Sequence, residues 1–84
     1  MTLAVLLVDY ESLTRTIIDS LREQTGMVID DLCIETVVGR CVILTGRADS
    51  WHAKQMASTV TQRVLVEFSL DLRIENHLIV RTPR

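Results

Sequence analysis

Few side chains in this sequence could carry chemistry, and their spacing decides most of the cases. Cys33 and Cys41 lack CxxC spacing, and the only two histidines, His52 and His77, fall in separate segments, whereas a zinc site draws four such ligands together at short intervals. No metal site is expected, and both thiols read as reduced residues within strands. Asp30-Asp31 is the one adjacent acid pair. Ahead of an apolar run it reads as a solvated turn rather than a catalytic dyad. His77, on the polar parity of the last strand, reads as a surface histidine. Phosphate-cradling glycine loops, a nucleophile elbow and H-E-x-x-H are all missing, and no spacing ties a Ser or Thr to a base. No catalytic residue and no cofactor is expected.

The residues left with something to do are those that bind. Trp51 is the only tryptophan, and Arg40, Arg47 and Lys54 bracket it. Residues 40–63 hold Arg40, Arg47, Lys54 and Arg63 against Asp49 alone, while residues 1–39 hold seven acids against two bases. The centre of the chain is therefore basic within a protein of net charge −2. That overall sign argues against a nucleic-acid partner. An amphipathic ring beside cations suits an anionic phospholipid surface instead. Ordinary solvated surface is the competing reading of the same charges.

What must position these residues is one domain. The chain has 84 residues, of which 48% are hydrophobic and 24% charged, a composition that excludes disordered and low-complexity classes. Its longest apolar run, Leu3 to Val8, is six residues, against about 20 for a membrane-spanning helix. The run has no basic flank before it and no small-residue cleavage site after it, so a signal peptide is not expected. The location implied is cytoplasmic, or periplasmic or membrane-associated if the chain is a fragment of a longer exported protein.

From Tyr10 to Glu23, Tyr10, Leu13, Ile17 and Leu21 recur at steps of three and four, one face of a helix. Asp9 suits its cap and Gly26 its stop. Leu3, Leu6 and Leu7 extend the same stripe backward, so the helix starting early is preferred to a strand there, and either reading leaves Val5 and Val8 without cover. Residues 32–48 read as a hairpin about Gly39-Arg40, with Val38 opposite Cys41 in a two-residue turn, or a shifted register if the turn is longer. Ser50 caps a second helix over about 51–63, whose stripe of Ala53, Met56, Ala57, Val60 and Val64 leaves Trp51 on the opposite side. From Val66 to Glu75 apolar and polar residues alternate strictly, which predicts a strand with one wet face. Asn76 then takes an inward slot, where a bulge or bend is expected. The predicted order is helix, strand, strand, helix, strand: an α+β fold (αββαβ) with two helices packed on one face of a three-stranded mixed sheet. Residues 1–9 form an apolar extension, 10–80 the domain and 81–84 a polar tail.

That order resembles the BON domain, a small αββαβ module of bacterial periplasmic, secretion-associated and channel proteins. The residues that carry the resemblance are Val42-x-Leu44-x-Gly46, Ser50-Trp51 with Lys54, Ala57, and Asn76-x-Leu78-x-Val80. Two features depart from the family pattern: Gly39 lies one place early for the family's glycine before its second strand, and the Gly-Val step before the last strand is absent. The resemblance implies a non-catalytic module that binds phospholipid surfaces, partner proteins or small ligands. On that basis Trp51, Arg47, Lys54 and Arg40 are the expected membrane or ligand contacts. The surplus apolar groups Val5 and Val8 point to self-association as a homodimer, or to contact with neighbouring protein domains.

Overall fold

The first helix begins where the sequence offers a cap. In the computed structural model, which describes residues 9–24 and 28–81, Asp9 has extended backbone (φ −82°, ψ 95°) and its carboxylate accepts from the Glu11 and Ser12 amides. Helix α1 (Tyr10–Arg22) follows directly. The Ser12 hydroxyl also donates to Asp9 at 2.7 Å. That bond, then the Ser12 amide, lowers the Asp9 pKa below its usual value. The charged cap is therefore complete above the ordinary aspartate pKa and is lost as pH falls through the lowered one. The extended Asp9 also corrects the expectation of an earlier start, because no helix runs unbroken through it. Leu3 to Val8, with Val5 and Val8, and Gly26 lie outside the described residues.

Strands β1 (Ile29–Val37) and β2 (Cys41–Ala48) form the antiparallel hairpin. Its turn is longer than two residues: Val37 pairs with Cys41 and Thr36 with Val42. The Arg40 amide donates to the Val37 carbonyl at 2.9 Å, and Gly39 sits at φ 75°, the left-handed value that the third position of a type II turn requires. The register shifts by one, and Ile34 and Thr36 now share a face with Val42 and Leu44. Near its start β1 carries a bulge: the pairing slips between Asp30 and Cys33, with Asp31 at φ 55°. Gly46 lies across that bulge at φ 138°, and a Cβ there would stand 2.8 Å from the Asp30 carbonyl oxygen.

Helix α2 (Trp51–Glu67) is capped as expected, the Ser50 side chain accepting from the Ala53 amide, but it runs four residues past the expected end. Its buried positions Ala53, Ala57, Val60, Thr61, Val64 and Leu65 continue the helical period. The alternation over 66–72 is therefore not a strand. The Ser69 amide donates to Val66 and that of Leu70 to Leu65, with Ser69 at φ 57°. This is the paired C-terminal closure in which Gly usually takes the left-handed place. Val66 is consequently exposed rather than inward.

The last strand is split into β3 (Arg73–Asn76) and β4 (Ile79–Val80), both parallel to β2 on the side away from β1. Asn76 causes the break. Its side-chain amide donates to the Lys54 carbonyl at 2.7 Å and the Ser58 hydroxyl at 2.8 Å, while its oxygen accepts from the Leu78 amide. One residue thus bends the strand and fastens it to α2. Asn76→Ala is expected to cost about 2 kcal/mol by removing these bonds from a half-buried site, read as a lower urea midpoint with an unchanged slope.

Among the described residues the result is α+β, as predicted, with a mixed sheet of four strands where three were expected. Both helices cover one face. Leu13, Ile17 and Leu21 of α1 meet Val42, Leu44 and Ala48 of β2 and the buried row of α2 in a single core, closed by Leu72 and Leu78. The outer face of the sheet carries Cys33, Glu35, Ile43, Thr45 and Arg47 and stays largely wet.

Candidate binding surface

The expected contact residues fall at two ends of the molecule. Arg47 is next to last in β2 and Ser50 caps α2, so Arg47, Trp51 and Lys54 belong to one pole. Arg40 precedes the other end of β2, where its carbonyl accepts from the Arg73 amide, and at about 3.3 Å per residue it lies roughly 23 Å from Arg47. A single contact surface cannot hold all four. Three are brought to one pole, and the fourth stands with Val38 and Arg73 at the hairpin end.

Trp51 is 66% exposed, because the stripe that buries Ala53 and Ala57 turns the first residue of α2 away from the sheet. The Lys54 ammonium lies 5.3 Å from the centre of its ring, close enough for a cation–π attraction that also holds the ring in place. Two further large apolar side chains are exposed at the same pole. Val28 is 52% exposed, and its carbonyl accepts from the Asp49 amide two residues before Trp51. Ile79 is 66% exposed and pairs in register with Arg47. The sequence carried a signal for Ile79, an apolar residue on the polar parity of the last strand, which the surrounding alternation hid. Val28 offered none.

Charge at this pole is nearly balanced. Arg47 is bridged to Asp31 at 3.0 Å, and Arg81 to Asp30. Asp30 and Asp31 are thus ion-paired strand residues at the bulge. Among the described residues Lys54 has no carboxylate partner, so the basic centre of the sequence supplies one unneutralised cation beside the tryptophan. His52 is exposed on the same turn of α2.

The remaining chemistry is spread out. Cys33 is exposed, Cys41 buried, and both are free; four register positions separate them along the hairpin. His77 lies 3.4 Å from Glu75 on the outer face. Two open grooves flank α1, one of about 450 Å³ between its end and the start of β1, the other of about 580 Å³ along its length beside Thr36. No helix among the described residues is long and apolar enough to cross a membrane. No family model matches the chain, and neither the curated proteins nor the solved structures contain a significant match to it.

Proposed function

We propose that this domain is a non-catalytic binding module of BON type that docks on an anionic phospholipid surface through the pole bearing Trp51. The observation that carries this reading is the exposed tryptophan held under Lys54, with Val28 and Ile79 exposed at the same end. An aromatic ring with a polar edge favours the headgroup region. One unneutralised lysine adds about 1 kcal/mol toward an anionic leaflet. Arg47 contributes less than its charge because Asp31 holds it, and Arg40 takes no part in this contact. Binding is accordingly weak, dominated by the apolar groups and only mildly dependent on salt.

Co-sedimentation with anionic liposomes at low and physiological salt tests the reading. Trp51 is the sole tryptophan, so its emission should shift to the blue as vesicles are added. Trp51→Ala should lower the partition coefficient about tenfold, equivalent to 1.4 kcal/mol, and Arg40→Ala should leave it unchanged. No binding by the parent in either salt condition ends this reading.

A second reading, self-association, has its own observation: β1 is an outer strand that pairs with β2 alone among the described residues. An open strand edge of this length is a ready template for another chain.

A further inference from the structure

We infer that two copies of this domain join β1 to β1 about a two-fold axis at Ile34, with the α1 helices side by side above the joined strands. The inference rests on the self-association reading and assigns its surface.

The backbone supplies the first part. Residues of an antiparallel pair alternate between those that turn N–H and C=O toward the partner strand and those that turn them away. The bond from the Arg40 amide to the Val37 carbonyl sets the phase. Val37, Glu35 and Cys33 bond toward β2, and Leu32, Ile34 and Thr36 present their groups at the open edge. The Thr36 hydroxyl is buried and has no hydrogen-bond partner among the described residues, and Thr36 lines the groove of about 580 Å³ along α1. A buried polar atom left over beside an open groove calls for a partner from outside the described residues.

Charge names the occupant. The side chains from α1 that rim this groove run Glu11, Arg15, Asp19, Arg22, so the signs alternate along the helix, acid, base, acid, base. A two-fold axis turns a second copy end over end, and its rim then reads base, acid, base, acid. Glu11 meets the partner's Arg22, and Arg15 meets the partner's Asp19, each pair occurring twice. Tyr10, Thr14 and Ile18, all half-buried, lie between the charges. The rim suits a second copy of itself.

The two centres can be brought onto one axis. The other groove joins Leu21 and Arg22 at the end of α1 to the start of β1, from Val28 and Ile29 to Asp31 and Leu32, and Leu32, the last of these, is taken as level with Arg22. The midpoint of the charge pattern lies between Thr16 and Ile17, roughly 8 Å along α1 from Arg22 at 1.5 Å per residue. Ile34 lies roughly 7 Å along β1 from Leu32 in the same direction. One axis therefore serves the helices and the strands. In this register Glu35 stands opposite the partner's Cys33 in a pair without backbone bonds between them, which keeps the two Glu35 carboxylates apart. Their Cα atoms would lie about 4.5 Å apart, within disulfide range.

Sedimentation of the whole chain at about 100 μM, well above the dissociation constant of a stable dimer, should give twice the 9.5 kDa chain mass. In Glu35→Cys, mild oxidation should cross-link most of the protein into a reducible dimer, whereas Glu35→Cys combined with Cys33→Ser should not cross-link. Arg15→Glu should raise the dimer dissociation constant at least tenfold, and Arg15→Glu with Asp19→Arg should restore it, because residues 15 and 19 face each other across the axis. A monomeric parent overturns self-association and this surface with it. A dimeric parent that neither cross-links through Glu35→Cys nor responds to the charge exchange overturns this surface alone. Disruption by Val5→Glu with Val8→Glu would then assign the contact to the N-terminal segment.

Discussion

Gly46→Ala is expected to destabilise the domain by about 3 kcal/mol or more, beyond the 1 to 3 kcal/mol of backbone strain alone. Two costs add. Gly46 has φ 138°, a conformation that residues with a Cβ avoid, and the new methyl would stand 2.8 Å from the Asp30 carbonyl oxygen and 3.0 Å from that of Asp31. Those oxygens belong to the bulge and cannot turn aside as a flexible side chain would. Relief requires the start of β1 to move away from β2, and this loosens the pairing of Ile29 with Ala48. Gly39→Ala is the control. Its φ of 75° carries a conformational cost of about 1 kcal/mol, but no atom of the described residues lies within 4 Å of the position its Cβ would take. Urea unfolding of the two variants should show a loss at Gly46 at least twice that at Gly39. Equal losses would mean that crowding at the bulge contributes nothing.

Gly46 also marks where sequence reasoning reached its limit. Local signals were legible: Asp9 and Ser50 cap the helices as their types require, and Asn76 bends the last strand where an inward polar residue interrupted the apolar parity. The hairpin was legible as a hairpin. Its register was not, because both faces of LCIETVV and CVILTGRA are apolar enough to be buried, so alternation could not choose between a two-residue turn and a longer one. The bulge adds a second shift that only the close approach of Gly46 to Asp30 reveals.

The segment after residue 63 misled for a different reason. Val66, Phe68, Leu70, Leu72 and Ile74 alternate with polar residues, yet Val60, Val64 and Leu65 belong to a helical row that began at Ala53. Both periods fit the shared residues. The helix prevails because burying Val64 and Leu65 against the sheet continues the packing of Ala53 and Ala57. Leu70 then folds back in the closure over Leu65. For the candidate surface, helical angle alone was enough to place Trp51 outside, while the separation of Arg40 from the other cations followed from the length of β2. The pairing of Arg47 with Asp31 depends on the bulge and had no signature along the chain.

Leu44→Ala is expected to cost about 2 to 5 kcal/mol, the range for emptying a buried leucine site. Leu44 is 0% exposed, and it sits at the centre of β2 between Ile34 on one neighbouring strand and Asn76 on the other. Its carbonyl also accepts from the His77 amide at 2.8 Å, at the point where β3 gives way to β4. The strand is paired on both sides at this position, so the surrounding backbone has little freedom to close the cavity, and the loss belongs toward the upper end of the range. A domain of this size has a total stability of about 4 to 13 kcal/mol. Leu72 fills the same core from its margin at 8% exposure, just ahead of β3, where a chain segment outside any strand can settle inward. Leu72→Ala should therefore cost less, about 2 kcal/mol, and unfold at a higher urea concentration than Leu44→Ala. The reverse order would place the rigid centre of the core at the end of α2 rather than on β2. If both variants stay within about 0.5 kcal/mol of the parent, the range of ordinary surface substitutions, the two leucines do not share a core.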